Sequence, residues 1–149
     1  MSRLYVNDDY DYRLEGLMQG WLRSAVRGKS GQRFLRGLVA ALDALPTPEL
    51  SSGALEDSAT GCCCALGAVR RFRGPENVTL QFHPEEEGIP PDDLAKAFGV
   101  SQTLAWAVVQ ANDRKPLNNS GPDRRLRWQE VRAWAVCCLL SGGEEAAND

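Results

Sequence analysis

Apolar residues return at steps of three and four along several stretches of this chain, and glycine or proline closes most of them. That rhythm lines one side of an α-helix, so the chain must bury helix faces against one another. Leu14, Leu17, Met18, Trp21, Leu22 and Ala25 form the first stripe, on a helix expected from Tyr10 to Arg27 and stopped by Gly28. Phe34, Leu35, Leu38, Val39, Leu42 and Leu45 form the second, from Gln32 to Leu45, with Ser30 as its cap and Pro46 at its end. A third helix is expected from Cys62 to Phe72, burying Cys62, Ala65, Leu66, Val69 and Phe72, and broken by Gly74-Pro75. Pro90-Pro91-Asp92-Asp93 opens a fourth that reaches Phe98, because proline costs little in a first turn. Gly99 then turns the chain, and Ser101 caps a fifth helix that runs to Asn112, with Asn112-Asp113 as its ending pair. After a polar loop from Lys115 to Gly121, the last helix starts near Pro122. It presents Leu126, Trp128, Val131, Trp134, Ala135, Cys138 and Leu139 and ends at Gly142-Gly143.

The period shortens to two only over Asn77 to Phe82, where Val78, Leu80 and Phe82 alternate with polar residues, as in a half-buried strand. A second short strand is expected near Leu50–Leu55. The fold class is therefore mainly α, with α+β as the alternative: one helical domain of five or six helices over residues 1–143, a minor strand or hairpin, and a frayed acidic tail over 144–149. A length of 149 residues suits one such domain. No apolar run approaches the roughly 18 residues of a membrane span. Met1 to Tyr5 gives way to Asp8, Asp9 and Asp11 without the basic and apolar pattern of a secretory signal, so the expected location is the cytoplasm.

The residue types that carry catalysis are sparse. The five cysteines fall in two contiguous runs, Cys62-Cys63-Cys64 and Cys137-Cys138, and there is one histidine, His83. Contiguous cysteines lack the C-x-x-C spacing that turns two thiolates toward one zinc ion, and an odd number makes a poor disulfide framework. They read as small apolar residues on helix faces. No glycine-rich phosphate loop precedes a lysine. The expectation is a protein without metal, cofactor or catalytic residues, acting by binding.

Charge shows where a partner would dock. The net charge is −3, which disfavours nucleic-acid binding through overall charge. The cations nevertheless cluster: Arg23, Arg27, Lys29, Arg33 and Arg36; Arg70, Arg71 and Arg73; Arg124, Arg125, Arg127 and Arg132. Helical spacing places Arg70 and Arg73 on one side of the third helix, away from its apolar face. Arg70, Arg71 and Arg73, joined by Arg23 and Arg27, are the candidate protein-binding residues, with Trp106 as an aromatic contact. The competing reading is that the arginines of the third helix pair internally with Glu56, Asp57 or Glu76. A second function is legible over Leu94–Val108, where Ala95, Gly99 and the apolar residues Leu94, Phe98, Val100, Ala105 and Val108 fit a helix-turn-helix. Its second helix would present Gln102, Thr103, Trp106 and Gln110 to DNA, but it carries no Arg or Lys to meet phosphates.

Taken in order, Arg27-Gly28, Gly31-Gln32, Phe34-Leu35, Ala40 to Pro46, Cys64 to Ala68, Arg71, Arg73-Gly74, Ala97 to Val100, Asn112-Asp113, Arg127-Trp128, Val131-Arg132 and Trp134 resemble a group of small uncharacterised accessory proteins carried by bacteriophages and prophages. The resemblance covers most of the chain from Arg27 to Trp134. It implies a setting: a bacterial cytoplasm, with a host or phage protein as partner, for example in countering bacterial defence. It supplies no catalytic residue.

Overall fold

Leu35, Leu38 and Leu42, on one face of the second apolar stripe, are sealed from solvent, and the other helices assemble around them. The computed structural model describes residues 20–86, 88–113 and 124–139. In chain order the helices are α1, described over 20–27, α2 (Lys29–Ala44), α3 (Ala65–Arg73), α4 (Pro91–Phe98), α5 (Gln102–Asp113) and α6 (Arg124–Cys138). A 3-10 turn over Pro75–Asn77 follows α3. Helix α2 packs on α3 and α6, α4 on α5, and α5 on α6 and α3, so one core serves the whole described chain. The mainly helical fold expected from the apolar period is the fold observed. The expectations for residues 10–19, the loop over 115–121, Pro122, Gly142-Gly143 and the tail over 144–149 fall outside the described residues.

The chain enters α2 differently from the expectation. The helix starts at Lys29, and Gly28 takes the N-cap position in extended geometry (φ −68, ψ 159) with no side-chain cap. Only that residue separates α1 from α2. Its N–H donates to the Ser24 carbonyl (3.1 Å), and its own carbonyl accepts from Gln32 N (2.9 Å). So tight a junction needs Gly31, where an added Cβ would overlap the Ala25 carbonyl oxygen. It also needs Gln32, fully buried, whose Nε2 donates to the carbonyls of Val26 (2.6 Å) and Cys138 (3.0 Å). One glutamine amide thereby satisfies carbonyls near the ends of α1 and α6, which a helix cannot satisfy internally. Trp21, assigned by spacing to the apolar stripe of α1, is instead 57% exposed.

Helix α3 begins three residues later than expected because the backbone of Cys62–Cys64 is engaged elsewhere. Ser51 N donates to Cys63 O, Asp57 N to Cys62 O, and Cys64 N to Leu55 O. The strand expected near Leu50–Leu55 is reduced to one antiparallel bridge, Glu56 to Cys63. Cys64 becomes the N-cap, and its Sγ accepts from Gly67 N at 3.4 Å. Burial on α3 ends at Val69, and the last turn projects past the core, so Phe72 is 54% exposed rather than buried. The strand expected over Val78–Phe82 does not form. Val78 is buried and Leu80 and Phe82 pack partly against the core, as their alternation implies, but among the described residues the segment has no neighbouring strand to pair with.

Helices α4 and α5 follow their sequence signals closely. Pro91 opens α4 and Asp92 and Asp93 occupy its first turn. Gly99 ends it in the left-handed region (φ 69, ψ 37), with Val100 N donating to Ala95 O. Ser101 Oγ accepts from Leu104 N at 3.1 Å, capping α5 as expected. On α6, Val131 and Ala135 are buried, and the indole N–H of Trp128 donates to Leu42 O (3.0 Å), locking α6 to α2.

Backbones also meet closely in the core at Gly67, where any Cβ would overlap the Leu55 carbonyl oxygen and meet Cys63. Gly67→Ala is therefore expected to destabilise the fold by about 1–3 kcal/mol, as overpacking does. Gly37, whose Cβ would meet nothing within 4 Å, is the internal control: Gly37→Ala should leave stability unchanged or raise it. Urea unfolding of the two variants measures the contrast.

Candidate functional site

The loop over 45–64 carries many polar groups into the core, and Asn112 near the end of α5 organises them. Asn112 is 2% exposed. Its Oδ1 accepts from the Ala65 N–H (2.9 Å), the first donor of α3, and its Nδ2 donates to Ser51 O (3.0 Å) and Asp113 Oδ1 (2.9 Å). Its backbone carbonyl accepts from Nε of the buried Arg127 at 2.7 Å, and Asp113 Oδ1 also accepts from Gly53 N at 3.2 Å. The Asn112-Asp113 pair thus ties α5 to α3, α6 and the 51–53 turn. It does more than end a helix.

The arginines proposed from sequence as one docking patch take up separate structural tasks. Arg71 grips Glu56 with two bonds, Nε to Oε1 at 3.1 Å and Nη2 to Oε2 at 2.5 Å, and Nη2 also donates to the Gly61 carbonyl. Arg70 Nη1 lies 3.8 Å from the same Glu56 carboxylate. Arg73 donates to the Phe98 carbonyl (2.8 Å) and covers the Phe34 ring at 5.8 Å. Of the internal partners weighed in the sequence, Glu56 takes both Arg70 and Arg71. Arg132 pairs in the same way with Asp43, at 2.7 and 3.0 Å, and holds that carboxyl below its ordinary pKa. Arg23 and Arg27 differ. They stand exposed on α1, and among the described residues neither makes an ion pair or side-chain hydrogen bond. The same is true of Lys29, Arg33 and Arg36 on α2, cations whose clustering is visible in the sequence but whose freedom is not. At about 100° per residue those three fall within an arc of about 60°, opposite Leu35, Leu38 and Leu42.

No family model matches the chain, and no curated protein and no solved structure is significantly similar to it. The geometry therefore carries the functional argument. The helix-turn-helix expectation has its turn and its cap, with Gln102 exposed and Thr103, Trp106 and Gln110 half-buried on α5. Helix α5 carries no cation, and the first helix of the motif, α4, carries one, the exposed Lys96. Asp92 and Asp93 lie exposed at the start of α4, where they repel phosphate.

A cleft of about 270 Å³ opens where the segment after α2 meets the 60–63 turn, α3 and the start of α6. It is lined by Leu45, Pro46, Thr47, Glu49, Thr60, Gly61, Cys62, Cys63, Arg71 and Arg124. None of Thr47, Glu49, Thr60 or Arg124 stands out in the sequence as a site residue. The hydrogen bond from Leu50 N to Arg124 O brings the start of α6 to the loop, and that from Ser51 N to Cys63 O brings the 60–63 turn beside it. The five cysteines are free thiols, with Cys137 exposed, Cys62 and Cys138 half-buried, and Cys63 and Cys64 buried. Burial pushes Cys63 up to about 11 and Cys64 up to about 12, so neither forms a nucleophilic thiolate near neutrality. The nearby Arg71 charge only partly offsets burial at Cys63. His83, exposed, accepts from Glu85 N through Nδ1 in a local turn.

Two outcomes are expected. Asn112→Ala orphans the Ala65 N–H and the Ser51 carbonyl and should cost about 1–3 kcal/mol for each buried group left unpaired, read by chemical denaturation. Stability should also fall as pH rises above the ordinary thiol value of 9.0, because the unfolded chain loses the Cys63 and Cys64 protons there while the folded chain keeps them to about 11 and about 12. Cys64→Ser replaces the capping sulfur with an oxygen that can cap α3 and removes one of these thiols. Its alkaline slope in a pH series of denaturation curves should be shallower than that of the unaltered chain.

Proposed function

We propose that this chain is a non-enzymatic binding protein whose partner-facing surface is the cationic face of α1 and α2. One observation carries the reading. Arg70, Arg71, Arg73 and Arg132 are engaged within the fold, whereas Arg23, Arg27, Lys29, Arg33 and Arg36 are exposed and make no ion pair among the described residues. Like charges gathered without counter-charges repel one another, and an acidic partner relieves that repulsion. Guanidinium groups bind carboxylates with charge-assisted, bidentate bonds. The exposed indole of Trp21, two residues before Arg23, adds the aromatic-plus-arginine composition of interface centres.

An acidic protein face suits this surface better than nucleic acid. The net charge of −3 opposes approach to a polyanion, and the helix best shaped for reading DNA, α5, has no cation. The resemblance to small phage and prophage proteins supports the biological setting of the proposal: a bacterial cytoplasm, a host or phage protein as partner, and a role in countering defence. No described helix is long and apolar enough to cross a membrane.

The test is charge reversal where the fold does not use the charge. Arg33→Glu with Arg36→Glu changes two exposed side chains that have no partner in the described structure. A protein captured from a bacterial lysate by the unaltered chain, then purified, should bind with an affinity that falls as salt is raised. The double variant should bind it about tenfold more weakly or worse. Undiminished binding by the folded variant overturns the assignment. Tight, sequence-selective binding to DNA that survives the double variant but fails in Gln102→Ala with Gln110→Ala replaces it with the helix-turn-helix reading.

A further inference from the structure

We propose that the cleft between the 45–49 segment, the 60–63 turn, α3 and α6 binds a small oxyanion, carboxylate or phosphate, that also carries hydrogen-bond donors. The site is independent of the cationic face of α1 and α2 and stands whether or not that face meets a protein. Arg71 lines the cleft in a fixed pose. Its Nε and Nη2 are held by Glu56 and the Gly61 carbonyl, and Nη1 is the guanidinium nitrogen without a hydrogen bond in the described structure. A guanidinium already ordered by its own protein loses little freedom when it takes a ligand. Arg124 supplies the second cation. Its carbonyl is anchored by Leu50 N at 3.0 Å, but its side chain makes no ion pair or hydrogen bond among the described residues. Thr60 Oγ1 accepts from Cys62 N (3.2 Å), leaving its hydroxyl proton free to donate, and Thr47 adds another hydroxyl. Gly61 holds the turn at φ +72, where a side chain would be strained.

Glu49 narrows the ligand class. Glu56 is shared by Arg70 and Arg71, and the cleft lining itself carries two cations, Arg71 and Arg124, and one carboxylate, Glu49. A bare anion would leave Glu49 facing like charge, whereas a hydroxylated or aminated acid gives it a proton to accept. The volume of about 270 Å³ lies just below that of sites for drug-sized molecules, which run from roughly 300 Å³ upward. It suits a compact hydroxy acid, amino acid or sugar-type phosphate and excludes a dinucleotide.

The protein carries its own reporter. Cys62 lines the cleft and is half-buried, while Cys137 on α6 is exposed and lies outside the cleft lining. Iodoacetamide alkylation of both is followed by mass spectrometry at matched ionic strength with chloride, acetate, malate, inorganic phosphate or glycerol phosphate present. Malate or glycerol phosphate should slow Cys62 saturably, about tenfold at about ten times the dissociation constant, and leave Cys137 unchanged. Which of the two protects assigns carboxylate or phosphate as the ligand group. Arg124→Ala removes a side chain that makes no hydrogen bond or ion pair among the described residues and should abolish the protection. The proposal is overturned if neither malate nor glycerol phosphate slows Cys62, if Cys137 slows in parallel, if Arg124→Ala keeps the protection, or if acetate protects as well as malate.

Discussion

The buried amide of Asn112 is the contact on which the arrangement of α3, α5 and α6 depends. It gives an acceptor to the first N–H of α3 and a donor to Ser51 O, while its carbonyl receives Arg127 from α6. Each of those groups is buried or nearly so, and in that setting an unmade hydrogen bond costs more than a made one contributes. A side chain with one acceptor and one donor on the same planar group is the economical solution. Aspartate lacks the donor and would bring a second charge beside Asp113, and leucine would satisfy neither group. Cys64 completes the arrangement by taking the Gly67 N–H on its sulfur, so two side chains serve the open donors of one short helix.

The same logic recurs at the other end of the molecule. Gln32 reaches carbonyls near the ends of two helices, and Trp128 reaches the Leu42 carbonyl near the end of α2. Backbone groups that helices leave open become the points at which helices are tied together. Polar residues inside this core are therefore connectors, and glycine appears where connection requires backbones to touch, at Gly31 and Gly67. The fold reaches a defined arrangement with almost no sheet because polar side chains, rather than strand ladders, bridge its loops to its helices.

Once those internal tasks are assigned, the remaining charges sort themselves. Arginines of α3 and α6 with carboxylates or carbonyls in reach are structural, and they brace the 56–61 turn and the α2–α6 contact. The cations of α1 and α2 and the side chain of Arg124 have no such task among the described residues. These two sets sit on different features, one an open helical face and the other a small cleft. They fit partners of different size: an acidic macromolecular surface and a compact anion.

Much of this fold follows from local residue order. The period of three to four in Phe34 to Leu42, the proline at Pro91, the left-handed Gly99 and the cap at Ser101 act within a turn or two of chain, and the structure obeys them. Alternation over Val78–Phe82 correctly marks the inward side chains but not a strand, because a strand exists only when another part of the chain supplies hydrogen bonds. The start of α3 moved to Ala65 for the related reason that the 51–57 loop claims the backbone of Cys62 to Cys64. The docking patch shows the same division. Sequence reveals which cations cluster, but whether Arg71 is free or gripped by Glu56 depends on a residue fifteen positions away arriving opposite it. The sequence by itself determined helix content, most helix-closing residues and the inward faces apart from Trp21 and Phe72, since these arise from contacts between near neighbours. Only the tertiary structure decided which polar groups are used up in holding the fold and which are left for a ligand, since that depends on pairings between residues distant in the chain.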